Sequence, residues 1–113
     1  MNFQVTEDRG VVIAALEGQV RISTQNEFYD HLNGLFKSYA GKTVILDMKD
    51  VAYMNSAGIG IVVDTFRMFR EVGGRMVLSG LSPDISRLFE MTKLNRFIEI
   101  FPSVDDAVAK LMV

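Results

Sequence analysis

The residues with the clearest chemical potential lie in one stretch, positions 47–61. Ser56 is predicted to end a strand-to-helix loop, with Gly58 and Gly60 in the first helical turn. Each helical glycine costs roughly 1 kcal/mol relative to alanine, so two in one turn indicate a close neighbour of this backbone. The free N–H groups and positive dipole at a helix N-terminus stabilise an anion. Ser56 is therefore a candidate phospho-acceptor, where a phosphoryl group would add about two negative charges.

The same residues also have a purely structural interpretation. Serine is a preferred N-cap residue, and glycines allow a helix to pack tightly on a sheet. No Gly-Lys-Ser or Gly-Lys-Thr is present, and Val63 stands where a dinucleotide fingerprint needs its third glycine. Those absences exclude the two common nucleotide motifs. On the residues alone, the cap and the acceptor interpretations of Ser56 both remain open.

Other catalytic constellations are poorly represented. The chain has no cysteine and one histidine, His31, so it lacks the ligands of a zinc site. His31 lies on the first predicted helix, away from the loop of Ser56, so a serine triad has no base there. We expect His31 to face solvent. Asp47 and Asp50 resemble a receiver-domain acceptor, but the acidic pair 7–8 leads into a hairpin and no lysine stands directly at the end of the last predicted strand. We expect a protein that is not an enzyme and holds no metal or cofactor.

Composition sets the class of protein. The 113 residues are 49% hydrophobic and 23% charged, with a formal net charge of -2. That length predicts a single domain over residues 1–113. No basic patch favours nucleic acid, no apolar run reaches the roughly 18 residues of a membrane helix, and the N-terminus lacks a signal-peptide pattern. We expect a cytoplasmic domain that inserts into no membrane and contacts no nucleic acid directly.

Hydrophobic periodicity predicts alternating strands and helices. Strands are expected at 3–8, 11–16, 43–46, 75–79 and 97–101, and helices at 24–39, 56–73, 82–95 and 103–111. Gly18 is expected to end the second strand, and residues 47–55 to form a loop. Ser23 or Thr24 is expected to cap the first helix, with Glu27 completing a capping box. Ser82, followed by proline, is expected to cap the third.

This order predicts an α/β fold with a mostly parallel five-stranded sheet, an antiparallel N-terminal hairpin and four helices. The functional crevice of such sheets lies at the carboxyl ends of the strands. Three loops are candidates there: 18–24, 47–56 and 80–84. In the helix after Ser56, apolar residues occupy more than one face. We expect most of that helix to be buried, with an exposed patch near Tyr53 and Met54 as the alternative.

Two segments together resemble a known signature. The apolar strand 44–47 ends in Asp47, and the segment Val51-Ala52-Tyr53-Met54-Asn55-Ser56-Ala57-Gly58-Ile59-Gly60 follows it. The pattern is similar to that of STAS domains, specifically bacterial anti-sigma factor antagonists: Met-Asp-Ser, a small residue, Gly, Leu or Ile, and Gly. Gly18, Gly73-Gly74 and Ser82-Pro83 also match. The resemblance covers essentially the whole chain and implies a STAS-like fold.

The resemblance implies partner switching in signal transduction and transcription regulation. The unmodified antagonist binds a partner that is both an anti-sigma factor and a serine kinase. Phosphorylation at the position of Ser56 releases it, and a PP2C-type phosphatase resets it. The antagonist is then a phosphoprotein substrate rather than an enzyme. We expect the partner to contact Gly18, Arg21, Ser23, Tyr53, Met54, Asn55, Ala57, Gly58, Gly60 and Ser82.

Two positions depart from the family pattern. Asn55 stands where the family usually has aspartate, and Arg21 where members often carry an acid. Both changes make the expected docking surface more positive, which predicts either a partner with a different complementary face or weaker phosphorylation. Three alternatives stay open: a non-phosphorylated STAS scaffold, a transporter-associated module, and a small-ligand or nucleotide binder that uses Ser56 and Gly58.

Overall fold

Residues 1–112 are described by a computed structural model, and their order of elements confirms the predicted one. The strands are β1 (Asn2–Asp8), β2 (Val11–Val20), β3 (Thr43–Met54), β4 (Arg75–Ser79) and β5 (Ile100–Phe101). The helices are α1 (Gln25–Tyr39), α2 (Ser56–Glu71), α3 (Pro83–Met91) and α4 (Val104–Leu111), with a short helical turn at Leu94–Arg96.

The five strands form one sheet in the order β1-β2-β3-β4-β5. β1 pairs antiparallel with β2, and all other pairs are parallel. The predicted fold class is therefore confirmed. Successive side chains of a strand point to opposite faces, so β3 buries Leu46 on one face and Ile45 on the other. Helices α1, α2 and α3 cover the first face, and α4 covers the second.

β3 is longer than its sequence suggests. The expected loop at 47–55 is wrong, because β3 continues to Met54 along the end of β2. The ladder has irregularities between Ala15 and Glu17 and between Gly18 and Gln19, and at each of them β3 carries one extra residue. Such bulges shift the alternation of side chains. The buried hydrophobic residues of this extension, Met48, Val51 and Met54, accordingly recur every third position.

β2 also continues past its predicted end. Gly18 does not terminate the strand, which runs to Val20. Its φ of +134° lies in a region that L side chains rarely adopt, and a Cβ there would lie 3.4 Å from the Cα of Met1. Glycine thus allows the strand to pass the N-terminus without breaking its pairing with β3.

The helix starts are partly as predicted. Ser82 caps α3 by accepting from the N–H of Ile85 at 3.3 Å, which confirms that prediction. Thr24 occupies the N-cap position of α1 but makes no side-chain cap, so the predicted capping box with Glu27 is wrong. Its hydroxyl instead accepts from the N–H of Arg21 at 2.9 Å and donates to the carbonyl of Gln19 at 2.6 Å. These bonds fix the β2–α1 connection rather than the helix.

The C-terminal third differs from prediction in two places. α3 ends at Met91 rather than near Asn95, because Lys93 adopts a left-handed φ of 61° and breaks the helix. The last strand is two residues long rather than five, since the chain first forms the turn Leu94–Arg96. As a consequence Phe97, expected inside a strand, is 69% exposed.

His31 is not the solvent-facing residue that was expected. Its ring stacks on Phe3 of β1, with centroids 4.7 Å apart, and Nε2 lies 3.5 Å from a carboxylate oxygen of Glu27. The N-terminal strand thus covers this face of α1. The side chain is 31% exposed, and its ring packs beside β1.

Candidate functional site

Ser56 is the first residue of α2 and follows β3 after one intervening residue, Asn55. That asparagine is the N-cap: its Oδ1 accepts from the N–H of Gly58 at 2.8 Å. The interpretation of Ser56 as the cap is therefore wrong. Asn55 takes this role because its backbone N–H donates to the carbonyl of Val20 at 2.9 Å and its Nδ2 to Oε1 of Gln25 at 3.0 Å. Both bonds hold it at the junction.

The Ser56 side chain is left available by this arrangement. Ser56 and Ala57 are both exposed, and no hydrogen bond between described residues uses the Ser56 hydroxyl. The first N–H groups of a helix have no partner within it. With Gly58 capped by Asn55 and Ile59 bonded to the Asn55 carbonyl at 3.2 Å, the free amides at this end belong to Ser56 and Ala57. A substituent on the Ser56 oxygen lies beside those two donors.

An open depression surrounds this hydroxyl, and we call it the Ser56 depression. It is formed where the β2–α1 connection meets the β3–α2 junction. Its lining residues are Arg21, Ile22, Ser23, Gln25, Tyr53, Asn55, Ser56 and Ala57.

The Ser56 depression is positively charged. Arg21 is the charged member of its lining, and its guanidinium carbon lies 4.8 Å from the centroid of the Tyr53 ring. This distance is typical of a cation–π contact. Its Nε also donates to the Gln19 side chain, and it forms no ion pair with any carboxylate of residues 1–112. The arginine is thus positioned by an aromatic ring and an amide while its charge stays uncompensated.

The two glycines near the start of α2, Gly58 and Gly60, have different surroundings. A Cβ on Gly58 would lie 2.6 Å from Cγ of Met54 and 2.8 Å from Cγ1 of Val20, so only glycine fits. The expectation of a close neighbour is confirmed there. For Gly60 it is wrong, because a Cβ would meet no atom within 4 Å.

Two expected contact residues are too deeply placed to touch a partner. Met54 is 2% exposed and packs beneath Gly58, which is itself buried. Met54 and Gly58 therefore support the β3–α2 junction from inside and contribute no side-chain surface for a partner to contact. Tyr53, in contrast, is 45% exposed, so the alternative of an exposed patch holds for the tyrosine and fails for the methionine. The rest of α2 buries one face against the sheet through Val62 and Phe69 and exposes the opposite face, so the expectation of a mostly buried helix holds for one face only.

Three further expected residues lie outside the depression. Ser82 caps α3 after β4, and the pairing of β4 with β3 ends at Asp47, well before β3 reaches Ser56. Gly18 lies inside β2 opposite Val51. Gly60 is exposed on the second turn of α2. The Ser56 depression thus joins the connections at 18–24 and 47–56, while the start of α3 after the loop at 80–84 meets Tyr53 in a separate groove that Asp84 and Leu88 also line.

Sequence reasoning missed two residues of the depression. Ile22 is 87% exposed. Its apolar side chain in a connection between a strand and a helix is the sequence feature that could have indicated a contact surface. Gln25 contributes an amide oxygen to Asn55, a contact between residues thirty positions apart that no local pattern predicts. In the described residues no group of three or more His, Cys, Asp or Glu side chains is placed to hold a metal ion. Within the same residues no helix is long and apolar enough to cross a bilayer.

Comparison with known proteins identifies the family. The STAS domain model matches residues 2–107, and the chain belongs to that family. It is 31% identical over 100 residues to an anti-sigma-B factor antagonist of Bacillus subtilis, covering 88% of this chain and 90% of the relative. It is 24% identical over 115 residues to an anti-sigma F factor antagonist of Paenibacillus polymyxa, covering 100% of this chain and 98% of the relative.

Solved structures show the same fold. An anti-sigma factor antagonist from Mycobacterium paratuberculosis superposes with a TM-score of 0.85 at 18% identity, covering 97% of this chain and 92% of that one. The Bacillus cell fate determinant SpoIIAA in its phosphorylated form superposes with a TM-score of 0.71 at 21% identity, covering 97% and 99%.

Proposed function

We propose that this chain is an anti-sigma factor antagonist of a partner-switching system. In its unmodified form it docks through the Ser56 depression on an anti-sigma factor that is also a serine kinase. Phosphorylation of Ser56 releases it, and a PP2C-type phosphatase restores the docking form. In this scheme the chain is a single cytoplasmic STAS domain over residues 1–113, and it acts as a kinase substrate rather than as an enzyme.

The observation that carries the proposal is the exposed, unbonded hydroxyl of Ser56 beside an asparagine that performs the capping. Because Asn55 already satisfies the Gly58 amide, modification of Ser56 breaks no bond that holds α2 in place. The phosphate lies next to the free amides and the positive end of the helix dipole, which stabilise it. The modified chain therefore stays folded, and the change is confined to its surface.

Phosphorylation reverses the charge of the docking surface. Arg21 gives the lining of the depression a single positive charge, and a phosphoserine adds about two negative charges at neutral pH. A partner face that complements the unmodified depression, acidic opposite Arg21, meets repulsion and a bulky tetrahedral group after modification. The names of the relatives support this role, since they are antagonists of anti-sigma factors. A neighbour of the same fold exists in a phosphorylated form.

The first test is direct. The purified chain is incubated with its cognate anti-sigma kinase and ATP, and the product is mapped by peptide mass spectrometry. We expect one phosphate, on Ser56, and none on the Ser56→Ala variant. Phosphate on another residue, or none at all, would contradict the proposed acceptor.

The second test separates switching from simple modification. Calorimetry with the same kinase should show that Ser56→Ala binds like the wild type, because it removes only an exposed hydroxyl. Ser56→Asp places a negative charge beside Arg21 and should bind at least about tenfold more weakly, the range of effect expected for an unfavourable interfacial charge. Equal affinities of the two variants would refute partner switching and leave a non-phosphorylated STAS scaffold as the better account.

A further inference from the structure

A second surface feature lies at the other end of α2. The second half of this helix and the turn Leu94–Arg96 enclose a groove, here called the Phe97 groove. Its lining includes Val63, Phe66, Arg67, Arg70, Leu94 and Phe97. None of these residues belongs to the Ser56 depression.

The floor and one wall of the Phe97 groove are apolar. Val63, Phe66 and Leu94 are half-buried and pack against the core, while Phe97 is 69% exposed. A phenylalanine this exposed gives up most of the free energy that its burial would contribute. Contiguous apolar surface with a polar rim is characteristic of interaction sites.

The other wall of the groove is basic. Arg67 and Arg70 project from α2, and the Arg70 guanidinium carbon lies 5.4 Å from the centroid of the Phe66 ring. Neither arginine forms an ion pair with any carboxylate in the described chain, and no acidic residue is part of the groove lining. In a chain with a net charge of -2, this local positive charge calls for an acidic occupant.

The groove is electrically separate from Ser56. Along a helix rising 1.5 Å per residue, Arg67 and Arg70 lie about 16–21 Å from Ser56. The Debye length at physiological ionic strength is about 8 Å, so a phosphate on Ser56 acts only weakly on a ligand in the groove.

We propose that the Phe97 groove docks an amphipathic helix of a protein partner. The helix places its apolar face on Phe66 and Phe97 and one acidic edge along Arg67 and Arg70, the helix-in-groove mode of recognition. Its affinity is independent of the phosphorylation state of Ser56. The site therefore retains a partner while the Ser56 depression switches.

A second copy of this chain fits the groove poorly. Pairing two Phe97 grooves face to face brings Arg67 and Arg70 of both copies together, and like charges across an interface are unfavourable. Most apolar residues of α1 to α4 are already buried in the two cores, and the large apolar side chains that the described helices expose, Tyr29 on α1 and Leu88 and Met91 on α3, are too few for the apolar face of a four-turn helix. A protein helix with acidic residues satisfies both walls at once.

The test uses a synthetic amphipathic peptide of about four helical turns, with leucines on one face and glutamates along one edge. A twin peptide carries lysine in place of glutamate. Titration into the isotope-labelled full chain, followed by amide chemical shifts, should move signals around the groove with the acidic peptide only. Arg67→Glu combined with Arg70→Glu should weaken binding at least about tenfold, and Phe97→Ala should weaken it as well.

Matched variants serve as controls. Lys37→Glu with Lys42→Glu reverses two exposed charges outside the groove, and Tyr29→Ala removes an exposed aromatic ring from α1. Both should bind the acidic peptide like the wild type, and so should Ser56→Asp. Binding that ignores peptide charge, shifts located outside the groove, or a loss in Ser56→Asp would overturn the proposal. So would binding to anionic lipid vesicles without the peptide, or a dimer that Phe97→Ala abolishes.

Discussion

At the scale of single residues, neighbouring positions at the α2 N-terminus have different structural roles. Asn55 caps the helix, Gly58 admits the close approach of β2 and β3, and Ser56 is left with an exposed hydroxyl. This division of roles explains how a reactive position and a stable helix start can be adjacent.

The glycine pair gives a matched stability prediction. Gly58→Ala should destabilise the fold by about 1–3 kcal/mol, the usual cost of overpacking, because its Cβ would lie 2.6 Å from Met54. Gly60→Ala, two residues further along and in open space, should stabilise it by up to about 1 kcal/mol through helix propensity. Urea unfolding followed by circular dichroism measures both. Equal effects of the two substitutions would contradict the assigned roles.

The sequence alone could locate this junction but not assign its cap. Asn and Ser are both preferred N-cap residues, and they stand next to each other at 55 and 56. The choice is made by tertiary bonds from Asn55 to Val20 and Gln25, which local pattern does not contain. The position of the Ser56 hydroxyl at a strand-to-helix junction, in contrast, could be predicted from the turn-forming residues and the hydrophobic periodicity.

At the scale of elements, predictions succeeded where periodicity was regular and failed where pairing overrides it. β3 was expected to stop at Leu46, since Asp47, Lys49 and Asp50 read as loop residues. Its pairing with the end of β2 extends it, and the two bulges hide the alternation that marks a strand. The prediction for β5 was wrong in the opposite direction: residues 97–99 have the composition of a strand, but they follow the turn Leu94–Arg96 and the strand begins only at Ile100.

The packing of β4 and α4 near the last strand gives a prediction for pH. Glu99 is paired with Lys110, at 2.7 Å, and with Arg75. The hydrogen bond from Lys110, together with Arg75, lowers the pKa of Glu99 below its ordinary value of 4.5. A lowered carboxyl pKa stabilises the fold above the unfolded pKa, and this contribution is lost as the pH falls through the folded pKa.

Glu99→Gln should therefore lower the free energy of unfolding at pH 7, and the difference from the wild type should shrink toward about pH 3 as the wild-type carboxylate is protonated. Urea unfolding across that range measures the effect. Glu90→Gln, at an exposed glutamate without an ion pair in residues 1–112, is the control and should show no such trend. A difference independent of pH would contradict the linkage.

At the scale of the whole molecule, the sheet is uneven in width. Five strands meet at its centre, but pairing of β3 with β4 ends at Asp47 and pairing of β1 with β2 ends at Glu17. Beyond those points Gln19 and Val20 pair only with Tyr53 and Met54. The Ser56 depression is thus carried on a two-stranded extension of a wider sheet.

Hydrogen exchange should report this difference in width. Amides of residues 19–20 and 53–54 have fewer strand neighbours than those of 12–15 and 44–47, so local opening requires less free energy there. We expect faster deuterium uptake at the extension than at the centre, measured by mass spectrometry or by amide signals. Uniform protection along β2 and β3 would show that the extension opens only with the entire sheet.

The narrow extension also determines how Ser56 can be recognised. The hydroxyl is presented by a folded projection whose parts, Arg21, Tyr53 and Asn55, come from separate segments joined through β2 and β3. An enzyme that recognises this surface reads a three-dimensional epitope and not a linear consensus motif. Selection between paralogous chains can therefore reside in the residues of the β2–α1 connection, far in sequence from the serine that receives the phosphate.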